Sequence, residues 1–405
     1  MLVEFSVANH LSFKDKKTLS LEAAPIKEHE ENIIESAGYK LLRSAVIYGA
    51  NSSGKSNFIK SLTTMQTIVS ESAKKTSTDK IEVEPFLLNT ETENEPSFFE
   101  ILFLLEGQRY RYGFEANQTT VISEWLFVQK GKKETYLFLR QRNEFEFSDA
   151  FAEGKGLELR TRDNALFLST VDQWNGPLSK KIMLWFNSNT ILSGLKHEKD
   201  RLYTLACYDM SYWRKELEIF LNQFNLGFTE FYIDEEQSSQ RKNAIFTYHN
   251  KFNNSGVAES KIKFNLTNQE SSGTNKLFDM AGNIIVGLIT GRLTIIDELD
   301  AKLHPLITLS IVKLFNSPFH NRNNAQLIFA THDTNLLSKG CFRRDQIYFT
   351  EKDKYEATDL YSLVEYEESD GTKVRNDRRY EKDYINGRYG AIPFIGDFFG
   401  INADE

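Results

Sequence analysis

Residues 46–62 read VIYGANSSGKSNFIKSL, and the reading of this stretch decides the fold. Gly49-x-x-x-x-Gly54-Lys55-Ser56 is the spacing of a phosphate-binding loop. The β-branched and aromatic run SAVIY ahead of it predicts a strand. Behind it, Phe58, Leu62, Met65 and Val69 recur at helical spacing. A strand–loop–helix unit aims backbone N–H groups and the positive end of a helix dipole at an anion. Residues Gly49, Ala50, Asn51, Ser52, Ser53 and Gly54, with Lys55, Ser56 and Asn57, are therefore the expected nucleotide cradle. Lys55 would neutralise β/γ charge of ATP, and the Ser56 hydroxyl would ligate Mg²⁺.

Working outward, the 405 residues are 40% hydrophobic and 26% charged, an ordinary globular composition long enough for more than one domain. The formal net charge of −8 speaks against blanket attraction to nucleic acid, though a local basic patch stays open. Two well-separated cysteines, Cys207 and Cys341, form neither a disulfide framework nor a zinc pattern, which suits a reducing compartment. The opening MLVEFSVANHLSF has no charged-then-apolar leader, and runs such as IIVGLITG fall far short of the roughly 20 residues of a membrane span. The expectation is a cytoplasmic protein without a membrane segment.

A second motif lies in GRLTIIDELDAKLHP. Leu293–Ile296 form a short apolar run of the kind buried on both faces of a parallel sheet, and it ends in Asp297-Glu298. There Asp297 would hold Mg²⁺ and Glu298 would polarise the attacking water. From Ser56 to Asp297 is 241 residues (297 − 56), far more than a small kinase or switch GTPase requires. The guanine-reading Asn-Lys-x-Asp is also missing: in NKLFD, Phe278 occupies the Asp position. Ser271-Ser272-Gly273 opens a predicted apolar helix and could face an anion. Another buried strand, QLIFATHD, ends near His332, placed to contact a γ-phosphate.

The order of phosphate loop, long insertion, Ser-Gly, Asp-Glu strand and strand-His resembles the ABC-type ATPase heads of the RecF/SMC/OLD group. More closely it resembles the AAA15-type standalone bacterial ATPases found in PARIS, Septu and abortive-infection defence systems. The Asn-x-x-Ser-Phe turn at Asn9–Phe13, the asparagine Asn51, the Asp-Glu-x-x-x-x-Leu-His-Pro form at 297–305, and the ATHDTNLL and YINGRYGAIPFIG segments carry the likeness. It covers roughly residues 1–105 and 255–400. The resemblance implies an α/β fold, an ABC-type P-loop ATPase head with an antiparallel β-subdomain and an inserted helical subdomain. It also implies an ATP-linked homo-oligomer, at least a dimer, in which Ser271, Ser272 and Gly273 cap a nucleotide held by another copy. Lys55, Glu298 and His332 would be catalytic, Ser56 and Asp297 the metal ligands, and His304 would fall in the subunit-crossing loop. The signature ESSGTNK departs from Leu-Ser-Gly-Gly-Gln, and VEPFLLN offers no glutamine for a Q-loop.

Between Phe98 and Thr161 the pattern alternates, predicting an antiparallel meander; from Asn164 to Gln237 it reads as helical. The expected division is an N-terminal ATPase lobe over 1–162, a helical insertion or lid over 163–255 and a C-terminal lobe over 256–405. Lys130, Lys132 and Lys133, and Arg375, Arg378 and Arg379, are candidate basic patches, with solvated surface the plainer reading. No heptad stretch suits a long coiled coil. Only 73 residues follow His332 (405 − 332), too few for a Toprim nuclease. Together with the missing effector domain, the resemblance implies an ATPase acting as sensor or regulator of a separately encoded effector such as a nuclease in bacterial anti-phage defence. A RecF-like DNA-binding ATPase and an ATP-gated scaffold with slow turnover are the alternatives.

Overall fold

The computed structural model describes residues 1–228, 230–234, 244–338, 340–368 and 371–393. Strands β1 (Leu2–Ala8), β2 (Lys17–Ser20), β3 (Ile33–Ser36) and β4 (Tyr39–Leu42) lead to β5 (Ser44–Gly49), the strand expected from SAVIY, and then to α1 (Lys55–Glu71). The alternating stretch forms β6 (Ser97–Leu105), β7 (Gln108–Ala116), β8 (Val121–Lys130), β9 (Lys133–Gln141) and β10 (Glu144–Phe147). Each pairs antiparallel with the next, and β6 also pairs with β1. Glu106 and Gly107, the two residues between β6 and β7, both have positive φ (50° and 77°), as a tight turn matched to strand twist demands.

The stretch expected to be helical from Asn164 is more mixed. It does form α2 (Phe167–Gln173), α3 (Pro177–Ser188), α4 (Arg201–Asp209) and α5 (Ser211–Asn222). Between α3 and α4, however, β11 (Thr190–Ser193) joins the central sheet, with Ile191 opposite Ile295. Four residues are too few to show a period, so only a parallel neighbour reveals them as a strand. After α5, β12 (Glu230–Asp234), β13 (Ala244–Phe252) and β14 (Ala258–Asn265) make a small antiparallel sheet. The end of the helical expectation, at Gln237, lies outside the described residues, as does the closing motif from Phe394 onward.

The chain continues through α6 (Leu266–Gln269), α7 (Ser272–Thr290), β15 (Leu293–Asp297), α8 (Pro305–Asn316), β16 (Gln326–Ala330), α9 (Asn335–Ser338), β17 (Ile347–Lys352), β18 (Thr358–Ser362) and α10 (Tyr380–Ile385). The central sheet runs β11-β15-β16-β5-β17-β18, parallel except for the last pair. A seven-stranded antiparallel sheet, β10-β9-β8-β7-β6-β1-β2, covers one side.

Strand β5 shows why its sequence is apolar throughout. Ala45 and Ile47 enter one core with Phe58, Leu62, Met65 and Val69 of α1 and with Phe5 and Phe103 of the antiparallel sheet. Val46 and Tyr48 enter the other, with Phe278 and Ile284 of α7 and Ile311 and Phe315 of α8. The layers are antiparallel sheet, α1, central sheet and then α7 with α8. Burying each such side chain stabilises the fold by roughly 1.5–3 kcal/mol. This is an α/β fold with an antiparallel β-subdomain, as the resemblance implied.

Candidate nucleotide site

In the central sheet β16 lies between β5 and β15, and all three run parallel. Their C-terminal ends therefore open on one edge, where ligands of parallel α/β sheets are held. That edge collects the phosphate loop after β5, Asp297-Glu298 at the end of β15 and His332 just beyond β16.

The loop is braced from behind by residues far away in sequence. Gly54 has φ +114°, and a Cβ there would sit 2.4 Å from Thr358 Oγ1, so only glycine fits. Ser53 Oγ lies 2.6 Å from Thr350 Oγ1 on β17. Thr358 donates to the Ser53 carbonyl (3.0 Å) and lies 2.8 Å from Ser12 Oγ, which accepts from Asn57 Nδ2 at 2.9 Å. Asn57 thus supports the loop through Ser12. The Asn-x-x-Ser-Phe turn completes the brace: Asn9 Nδ2 donates to the Thr92 and Glu95 carbonyls, Asn9 Oδ1 accepts from the Phe86 amide, and Phe13 packs edge-on against Phe58. Tyr384 and Tyr389 of the closing motif stack near Phe349, and Tyr384 also meets Tyr48. Asn51, Ser52 and Ser56 stay exposed, with Ala50 half-buried.

Lys55 is buried and donates to the carbonyls of Gly49 (2.7 Å) and Ala50 (2.9 Å). Burial pulls its ammonium down to about 8, against the opposing pull of Asp297, Glu298 and Asp300. Asp297 has Oδ1 buried without a hydrogen-bond partner, and the Ser56 hydroxyl sits beside its carboxylate. Burial raises the Asp297 pKa, while Ser56 and Lys55 oppose that rise. A desolvated carboxylate oxygen without a donor, next to a hydroxyl, is the oxygen chemistry a Mg²⁺ ion takes. The residues present therefore fit the metal.

Glu298 adopts the left-handed conformation with φ +53°. Burial, and then the neighbouring Asp297 and Asp300 carboxylates, raise its pKa, as suits a general base. The His332 amide faces the Asp300 carboxylate at 3.3–3.4 Å. Burial and the charge of Lys55 lower the imidazole pKa, which favours the neutral ring, while Asp300 and Asp297 oppose that shift.

The Ser-Ser-Gly segment sits elsewhere. Ser271 caps α7 by accepting from the Thr274 amide at 3.0 Å, and Ser272 is the first helical residue. A Cβ on Gly273 would lie 2.7 Å from the Lys302 carbonyl. Among the described residues no hydrogen bond joins Ser271, Ser272 or Gly273 to the phosphate loop of the same chain. His304 caps α8 through Nδ1, which accepts from the Leu306 amide.

Lys276, in the segment that failed as a guanine reader, escaped sequence reading. It is fully buried and donates to the carbonyls of Glu298, Leu299 and Ala301. The signal was a lysine inside an otherwise apolar helix. Of the basic patches, Arg375 pairs with Asp377 and Arg378 with Asp383, whereas Lys130, Lys132 and Lys133 are exposed at the β8–β9 turn. No helix among the described residues is long and apolar enough to cross a membrane.

Comparison with solved structures finds a remote likeness to two SMC head domains. The SMC head domain from Thermotoga maritima is 15% identical with a TM-score of 0.41, over 89% of this chain and 98% of that one. The Smc head domain with an extended coiled coil bound to the C-terminal domain of ScpA, from Pyrococcus furiosus, is 10% identical with a TM-score of 0.36, over 89% and 96%. No curated protein sequence matches. Residues 44–338, well over half the chain and spanning every motif from β5 to α9, match the family described as "AAA domain, putative AbiEii toxin, Type IV TA system", and the chain belongs to that family.

Proposed function

We propose that this protein is a Mg²⁺-dependent ATPase whose sites are completed between copies of itself. In this reading it serves as sensor or regulator of a separately encoded effector, a nuclease, in bacterial anti-phage defence. The observation that carries the enzymatic part is the buried, unpartnered Asp297 Oδ1 beside Ser56, at the sheet edge shared with Lys55, Glu298 and His332.

The loop N–H groups and Lys55 would hold the ATP phosphates, and Ser56 and Asp297 would hold Mg²⁺. When bound, the ion neutralises charge gathering on the β- and γ-phosphate oxygens. Glu298 takes the proton of the attacking water, its basicity raised by burial and by the carboxylates beside it. His332, its neutral ring favoured and its amide anchored to Asp300, faces the γ-phosphate. Ser272 and Gly273, at the start of a 19-residue helix, present N–H groups to the phosphate of a second copy. The toxin–antitoxin wording of the family description supports the defence setting.

The test is turnover and binding by purified protein. Lys55→Ala should lose both. Glu298→Gln should keep ATP binding, lose turnover and accumulate the ATP-linked oligomer in native mass measurements. If wild type neither hydrolyses ATP nor captures the product of a neighbouring gene, the proposal is wrong.

A further inference from the structure

Lys276 lies one helical turn after Ser272 on α7. Its ammonium meets the carbonyls of Glu298 at 3.0 Å, Leu299 at 2.9 Å and Ala301 at 2.7 Å. An ammonium has three protons, so all three are used, and none goes to a carboxylate. A neutral amide has two N–H donors for these three carbonyls, of which that of Glu298 also accepts from the Ala301 amide at 3.2 Å. Gly194 packs against the same carbonyl. The Gly194 amide donates to the Asp297 carbonyl at 2.7 Å, and a Cβ on Gly194 would fall 1.9 Å from Glu298 O and 2.6 Å from Lys276 Nζ.

This matters because Glu298 has left-handed backbone, which costs a non-glycine residue on the order of 1–3 kcal/mol and persists only where surroundings enforce it. Lys276 enforces it from the helix that begins at the signature. The same helix touches the segment after Glu298 at two further places. Gly273 packs on the Lys302 carbonyl, and Asp279 bonds His197 at 2.8 Å, whose other ring nitrogen lies 3.5 Å from Lys302 Nζ. The backbone from Glu298 to Lys302 is thus fastened to α7 along its length.

We propose that Lys276 is a positioning residue that ties the backbone carrying Glu298 to the signature helix, so that a phosphate gripped at the start of α7 and the base of the same protomer move together. This inference rests on the proposed ATPase reading. It makes each protomer's base responsive to the nucleotide its signature caps on another copy.

The experiment compares wild type, Lys276→Met and Lys276→Gln for kcat, KM for ATP, affinity for a non-hydrolysable ATP analogue and melting temperature. A misplacement of about 1 Å costs on the order of 100-fold in rate. Lys276→Met should therefore lower kcat by about that factor, with KM and analogue affinity within roughly 3-fold of wild type. Lys276→Gln, which keeps two donors, should recover part of the loss. A folded Lys276→Met with kcat within roughly 3-fold of wild type overturns the proposal, as does a fall in analogue affinity parallel to the fall in kcat. Should Lys276→Met fail to fold, Lys276→Gln is judged by the same criteria. Should wild type show no turnover, the ATPase reading fails, and amide exchange over residues 299–303 decides the coupling. A protection change on analogue binding in wild type that disappears in Lys276→Gln supports it, and no change in wild type overturns it.

Discussion

Thr358→Val tests whether the phosphate loop owes its shape to residues hundreds of positions away. Thr358 is buried, and its hydroxyl lies 3.0 Å from the Ser53 carbonyl and 2.8 Å from Ser12 Oγ. A carbonyl only accepts and an Asn Nδ2 only donates. The Thr358 hydroxyl, with one proton, faces two acceptors, the Ser53 carbonyl and Ser12 Oγ, and Ser12 Oγ also accepts from Asn57. Valine keeps the volume and deletes this hydroxyl, so the Ser53 carbonyl loses its side-chain donor while Ser12 Oγ keeps only Asn57. A buried group left unsatisfied costs about 1–3 kcal/mol, so a loss of that order is expected. Thr358→Ser keeps the hydroxyl and removes one methyl group, and should cost only about 1 kcal/mol. Urea denaturation gives the stability, and titration with a fluorescent ATP analogue reports whether the loop still grips phosphate. Thr358→Val should weaken analogue binding more than Thr358→Ser does. A loss below roughly 0.5 kcal/mol for Thr358→Val, with unchanged analogue affinity, would refute the brace.

Three further outcomes are expected. Asp297→Asn should abolish the Mg²⁺ dependence of ATP affinity in titrations with and without the ion, because the unpartnered Oδ1 loses its charge. Gly194→Ala should destabilise by roughly 1–3 kcal/mol or more in thermal melts and reduce turnover, since its Cβ meets the Glu298 carbonyl. His10 is buried, and burial with the nearby charge of Lys60 pulls its pKa from 6.5 to about 4. The unfolded chain then binds the extra proton between those values, so this histidine makes stability fall as pH drops from about 6.5 to about 4. At roughly 1.36 kcal/mol per pKa unit the full effect is about 3 kcal/mol. Denaturation at pH 7 and pH 4.5 should show a smaller difference for His10→Gln than for wild type, and an equal difference would exclude this source.

Much of the architecture was legible because the signals are local. SAVIY is apolar throughout because β5 is buried on both faces, and the meander alternates because β6–β10 run antiparallel with tight turns. The helix begun by Ser272 carries an apolar pattern for 19 residues. β11 escaped because four residues carry no period, and its identity depends on β15 lying alongside. The small sheet β12–β14 escaped for a related reason: nearly every residue of β14 is exposed, so burial imposes no alternation on it.

By itself, the sequence determined the strand–loop–helix unit from β5 to α1, because it is contiguous backbone whose glycines and helix start are read one after another. It also determined which carboxylates end a buried strand. The tertiary structure alone decided that β16 lies between β5 and β15, which brings Lys55, Asp297 and His332 to one edge. It alone paired Thr358 with Ser12 and Ser53, and Lys276 with the carbonyls after Asp297. The physical reason is that a buried donor is satisfied by whichever carbonyl the packed layers deliver. That delivery is set by strand order and layer contact, which leave no periodic mark on the residues concerned.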